Sequence, residues 1–138
     1  MTDAQEWRDR RREAAGAHAE ALAQRQAAES RRASAMLADL ARTALADGPA
    51  PVPLQAQSYD GRHAFRTGLQ GWYLRRDRSV GVDTEGRFYV LRVPGGLRSR
   101  LTGVRLEPQD PPLVLGAGGK DGESLDLEVA IARVLGTA

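Results

Sequence analysis

The chain changes character at Gly48-Pro49, and that break limits its fold more than any other feature. Before it, residues 1–47 hold fifteen alanines, no proline and a single glycine, Gly16. Such a run favours helix, because alanine loses no side-chain freedom there and straight-chain residues lose little. Thr2 with Gln5, or Asp3 with Glu6, can cap its first turn, and Gly48-Pro49 stops it. After the break come Pro49, Pro51 and Pro53, a stiff extended linker, and then apolar residues that alternate with period two.

One continuous helix as far as about Asp47 would run roughly 65 Å, far beyond the roughly 30 Å body that the remaining residues can build, so much of it must project, break near Gly16 or pack against another molecule. Its large apolar residues are few. Trp7 and Leu22 stand almost alone, whereas Met36, Leu37, Leu40 and Leu45 gather near the end. The spacing predicts that only the last three turns dock on the body and that residues 8–35 form a solvated or partner-facing arm. Trp7, Ala14, Ala21, Ala28 and Ala35 recur every seven residues, but Arg10, Gln24 and Arg31 at the companion positions disfavour a coiled-coil seam.

Beyond the linker, strands are expected near 54–59, 62–67, 71–76, 79–83 and 87–93, with weaker ones near 101–106 and 113–115. Asp60-Gly61 and Glu85-Gly86 mark tight turns. A three-residue turn at Arg76-Asp77-Arg78 puts Trp72, Leu74, Val80, Val82, Phe88 and Val90 on one face and Tyr73, Arg75, Arg87 and Tyr89 on the other. Ser124 or Asp126 can cap a last helix bearing Leu127, Ile131, Val134 and Leu135, which Gly136 ends. The expected fold is α+β: a long N-terminal helix, an antiparallel meander or sheet of four to six strands, and a C-terminal helix packed on the sheet. Residues 1–48 form a helical arm and residues 49–138 a small α+β domain.

Charge is unevenly distributed although the net value is only +2. Residues 1–47 balance eight arginines with eight acids, residues 61–105 carry ten arginines against three acids for +7, and residues 106–138 carry two bases against six acids for −4. Six of the seven aromatic residues lie between Tyr59 and Tyr89, inside the basic stretch. Guanidinium groups hold phosphates while rings stack on bases, so this neighbourhood suits an anionic partner, RNA before DNA or an acidic protein. Arg75, Arg76, Arg78, Arg87, Arg98 and Arg100, with Tyr73 and Tyr89, are the candidate nucleic-acid contacts. Structural readings compete: the tyrosines could carry a helix, and the arginines could neutralise Asp121, Glu123, Asp126 and Glu128. Because Lys120 is the only lysine, preference for arginine reflects composition as much as recognition.

Other chemistry is poorly represented. Without cysteine there is no disulfide framework, thiolate nucleophile or Cys-based zinc site. The loop Gly116-Ala117-Gly118-Gly119-Lys120-Asp121-Gly122 resembles neither common phosphate fingerprint, since Asp121 follows Lys120 where Ser or Thr is needed. Gly116, Gly118, Gly119 and Lys120 remain its weak phosphate candidates. The acids of 121–128 lack EF-hand spacing, and Ser58, Asp60 and His63 have the residue types of a triad without a nucleophile elbow. No catalytic residue, cofactor or metal is expected. No apolar run approaches a membrane span or a signal core, which predicts a soluble cytoplasmic protein. The reading is a non-catalytic binding module whose arm contacts proteins through Trp7 and Leu22. An assembly protein that forms a homo-oligomer through that arm is the alternative, and a nucleotide or phosphate-ester enzyme using the Gly116–Gly122 loop comes third.

Overall fold

A computed structural model describes residues 2–94, 102–116 and 124–137. Helix α1 runs unbroken over Asp3–Asp47, its start capped by the Thr2 hydroxyl, which accepts from the Gln5 amide at 3.3 Å. Strands follow at β1 (Val52–Ser58), β2 (Ala64–Tyr73), β3 (Val80–Asp83), β4 (Phe88–Val90) and β5 (Arg92–Val93). A small ribbon of β6 (Val114–Leu115) and β7 (Leu125–Asp126) leads into α2 (Leu127–Leu135), which Gly136 closes with a left-handed backbone. The chain is α+β, with a mixed sheet where an antiparallel one was expected: β5 runs parallel to β1.

That parallel pair explains how the sheet is shaped. The strand order is β4-β3-β2-β1-β5, which puts β4 and β5 at opposite edges, although only Leu91 separates them in sequence. The sheet therefore curls until its edges meet. Leu91 is the pivot, donating its amide to Ser79 at 2.8 Å on the β3 side and accepting from the Gln57 amide at 2.7 Å on the β1 side. Closure of this kind leaves no bare strand edge at that point.

The two faces then have separate cores. Trp72, Leu74, Val82 and Phe88 pack under both helices with Ala33, Leu37, Leu40, Ala41 and Ala44 of α1 and Leu127 and Ala130 of α2. Leu54, Ala56, Phe65, Tyr89 and Leu91 are also buried but belong to the inside of the curl. A Cβ on Gly81 would meet Leu91 and Leu54 side chains at 3.1 and 3.4 Å, so these aliphatics fill the space beside the tyrosine row. Tyr89 thus lies in the interior of the rolled sheet, in a buried set separate from the one under α1 and α2.

Register follows the expected pattern, with Trp72 opposite Val82 and Val82 opposite Phe88. Boundaries differ more. The proline segment already joins the sheet, since β1 begins at Val52 and Pro53 pairs with Gln70, and the Trp72 indole donates to Pro49 O at 2.9 Å. The separate strands expected near 62–67 and 71–76 are one strand, β2, with a register shift where Gly68 takes φ +75°. Among the described residues, 102–106 form no strand; Val104 merely donates to Arg66 O.

The arm docks over more turns than expected. Burial starts at Ala33, and Glu29 accepts the Leu113 amide at 3.0 Å. Leu45, expected in the interface, is exposed. The hairpin between β3 and β4 reaches α1 through Gly86, whose φ is +85° and where a Cβ would lie 2.8 Å from Ala38 Cα. No larger residue fits that approach. Residues 2–28 apart from half-buried Asp9 are exposed, so about 40 Å of helix stands clear of the body.

Candidate functional site

The turn between β2 and β3 is the centre of the basic stretch. Asp77 shapes it by accepting the Ser79 amide at 3.0 Å and the Ser79 hydroxyl at 2.6 Å, while Arg78 donates its amide to Arg75 O. Arg78 has φ 59°, a left-handed conformation that costs a residue with a Cβ about 1–2 kcal/mol. Its guanidinium lies over the Tyr73 ring, 5.2 Å from the centroid. The Tyr73 hydroxyl in turn accepts the Gln55 amide at 3.0 Å.

Beside this turn lies a cleft of about 390 Å³ between the end of β2 and α2, lined by Tyr73, Leu74, Arg75, Arg76, Ala130, Arg133 and Val134. Arg75 is fixed in its wall. Its side chain is 15% exposed, Nη1 donates to Leu115 O at 3.2 Å, and Nε lies 3.6 Å from Asp77. Arg76 and Arg133 are exposed and form no ion pair with an acid among the described residues. Arg133, in the last turn of α2, also faces the negative end of the helix dipole, which favours a cation without consuming its charge. Asp77 stays ionised: burial raises its pKa, and the Ser79 hydrogen bonds with the nearby Arg75 and Arg92 charges carry it below the ordinary value.

The other candidates separate clearly. Tyr89 is 3% exposed, and its hydroxyl donates to Asp83 Oδ2 at 3.0 Å, so neither ring face is open to a base. Arg87 is held by Asp83 at 2.8 Å and Glu85 at 3.1 Å. Burial tends to raise the Asp83 pKa, but bonds from the Arg87 amide and guanidinium, the Glu85 amide and Tyr89 lower it on balance. Arg92 reaches Asp77 at 3.8 Å and Arg62 reaches Asp60 at 4.0 Å. Arg62, Arg75, Arg87 and Arg92 thus each lie within 4.0 Å of an acid, while the net excess of positive charge in the stretch remains. Among the described residues no ion pair joins it to Asp126 or Glu128; Asp121 and Glu123 lie outside them.

Arg98, Arg100, Gly118, Gly119 and Lys120 also lie outside the described residues, whereas Gly116 sits against Arg75, with its missing Cβ 2.7 Å from Nη1. Ser58, Asp60 and His63 form a turn: the serine hydroxyl donates to Asp60 at 2.6 Å and accepts the His63 backbone amide, so the serine is bound to the histidine backbone and donates its proton to the carboxylate. Asp60 falls below its ordinary pKa through the Ser58 hydrogen bond first and the Arg62 amide second. Among the described residues no group of His, Cys, Asp or Glu is arranged to hold a metal ion, and no helix is long and apolar enough to cross a membrane. Arg133 lines the cleft but was not among the sequence candidates, since in sequence it reads as an ordinary helix C-terminal cation. Trp7 and Leu22 are 55% and 45% exposed on the free arm.

No protein-family model matches the chain, and neither curated proteins nor solved structures give a match.

Proposed function

We propose that this chain is a non-catalytic binding module that holds phosphates of single-stranded RNA in the cleft between the β2–β3 turn and α2. The observation that supports this reading is the convergence of Arg75, Arg76 and Arg133, from two separate elements, on one cleft with Tyr73 in its wall. An anchored guanidinium beside two exposed ones suits a phosphodiester, because the fixed fork sets orientation and the exposed side chains can follow the backbone. Tyr73 with Arg78 provides a flat cationic surface at the rim for a base.

The test is the affinity of a labelled twelve-nucleotide oligouridine for the wild type and for Arg76→Gln/Arg133→Gln, read by fluorescence anisotropy. Each lost charge-assisted bond is worth about 1.5–3 kcal/mol, so the double variant should bind at least a hundredfold more weakly. Arg62→Gln, in the distant β1–β2 turn, should bind as the wild type does. Equal affinity of the double variant and the wild type would remove the cleft from the account.

A further inference from the structure

We infer that α1 pairs antiparallel with α1 of a second copy, the free part of each lying along the middle and docked half of the other, and that each Trp7 enters the groove between α1 and α2 of its partner. The groove, about 210 Å³, is lined by Met36, Leu40, Thr43, Ile131 and Leu135, with Asp39 and Glu128 at its rim. It is apolar and lies on the helix that carries the arm.

The helix geometry relates the groove to the arm. At about 100° per residue, Trp7, Leu22, Met36 and Leu40 fall within about 60° of one another around α1. Both large apolar residues of the free arm therefore share the groove's side of the helix. Trp7 and Met36 are also equally distant, about 22 Å, from the Ala21–Leu22 midpoint. Two copies aligned antiparallel about that midpoint bring Trp7 of each against Met36 of the other, and Leu22 against Ala21. An isologous two-fold contact of this kind closes without leaving a free end.

Charge supports the same occupant. Trp7 is followed by Arg8, Arg10, Arg11 and Arg12 with only Asp9 between them, and the groove presents Asp39 and Glu128. Asp39 also pairs with Arg42 on its own helix. Arg11, His18 and Arg25 share the inward face of the arm, and the alignment sets Arg11 opposite Arg32 and His18 opposite Arg25 of the other copy, so the middle of the seam is neither continuously apolar nor charge-matched. Attachment is concentrated at the two ends, where a tryptophan fills a groove. Within one chain this contact is impossible, because Trp7 and Met36 lie about 43 Å apart on one straight helix.

Sedimentation of the full chain should show a monomer–dimer equilibrium, and Trp7→Glu, an exposed substitution that leaves the core untouched, should shift the dissociation constant at least tenfold toward monomer. The chain has no cysteine, so introduced ones report the register cleanly. Ala4→Cys mixed with Asp39→Cys should give the mixed disulfide, while neither variant alone should cross-link efficiently. A monomer at every concentration, or a dimer indifferent to Trp7→Glu, overturns the inference, and so does a preference for the 4–4 or 39–39 disulfide. None of these changes touches the arginine cleft, so RNA affinity at monomeric concentrations should stay unchanged.

Discussion

Arg78 occupies a position where glycine is the easier residue. Its φ of 59° carries a cost that Gly would escape, yet its guanidinium covers Tyr73 at the rim of the cleft. Strained backbone that persists is a reason to ask what the side chain does. Arg78→Gly should therefore stabilise the fold by about 0.5–1 kcal/mol, the relieved strain of about 1–2 kcal/mol less an exposed cation–π contact of about 0.5–1 kcal/mol. The same change should weaken oligouridine binding several-fold. Thermal unfolding and anisotropy on one preparation measure both.

Asp83 makes the opposite kind of contribution. It is buried and accepts four hydrogen bonds, two from backbone amides, one from Arg87 Nε and one from Tyr89. With its folded pKa below the unfolded value, it stabilises the protein above about pH 4 and ceases to do so as pH falls through the folded pKa. Asp83→Asn should cost about 1–3 kcal/mol at neutral pH, because a donor is left facing an amide nitrogen, and should make the acid limb of the stability profile shallower. An unchanged acid limb would mean that other carboxylates, such as Asp77, govern it. Neither role could be read from sequence: Asp83 looked like one of three acids in a basic stretch, and Tyr89 like a base-stacking ring.

At the scale of elements, α1 divides near Glu29 into a docked half and a free half. Leu37 and Leu40, each fully buried, contribute roughly 1.5–3 kcal/mol apiece to the docked half. A fragment starting at residue 29 should therefore melt within a degree or two of the full chain at monomeric concentrations, and one starting at residue 48 should lose several kcal/mol or fail to fold. Differential scanning calorimetry separates these outcomes. Equal stability of the two fragments would refute the docking of α1.

The long helix, the meander register and α2 were legible because each rests on local signals: alanine content, alternation about Gly-containing turns, and a four-residue apolar period. The closing of the sheet was not. It depends on Leu91 changing partners from β3 to β1 within a single apolar run, and alternation looks the same on both sides of that residue. The register was therefore read correctly, but Val90 is exposed, and Tyr89, expected to meet a ligand or carry a helix, is buried inside the roll. The cleft was half legible: its arginines at 75 and 76 stood out, whereas Arg133 arrives from α2 only through tertiary packing.

For the whole molecule, the fold brings part of the basic stretch together with Arg133 of α2 in one cleft. Arg87 and Arg62 pair with acids of their own turns and Arg92 with Asp77 of the β2–β3 turn, while Arg76 and Arg133 line the cleft around an anchored Arg75, with Arg78 beside it on Tyr73. A partner bound by this arrangement should be held mainly through counterion release. The most direct measurement is the salt dependence of oligouridine affinity, comparing the wild type with Arg76→Gln/Arg133→Gln. The logarithm of the wild-type association constant should fall linearly with the logarithm of salt, with a slope near −0.7 per phosphate contacted, and the double variant should be flatter by about 1.4. Identical slopes, or no measurable binding by the wild type at moderate salt, would contradict the claim that this cleft holds phosphates.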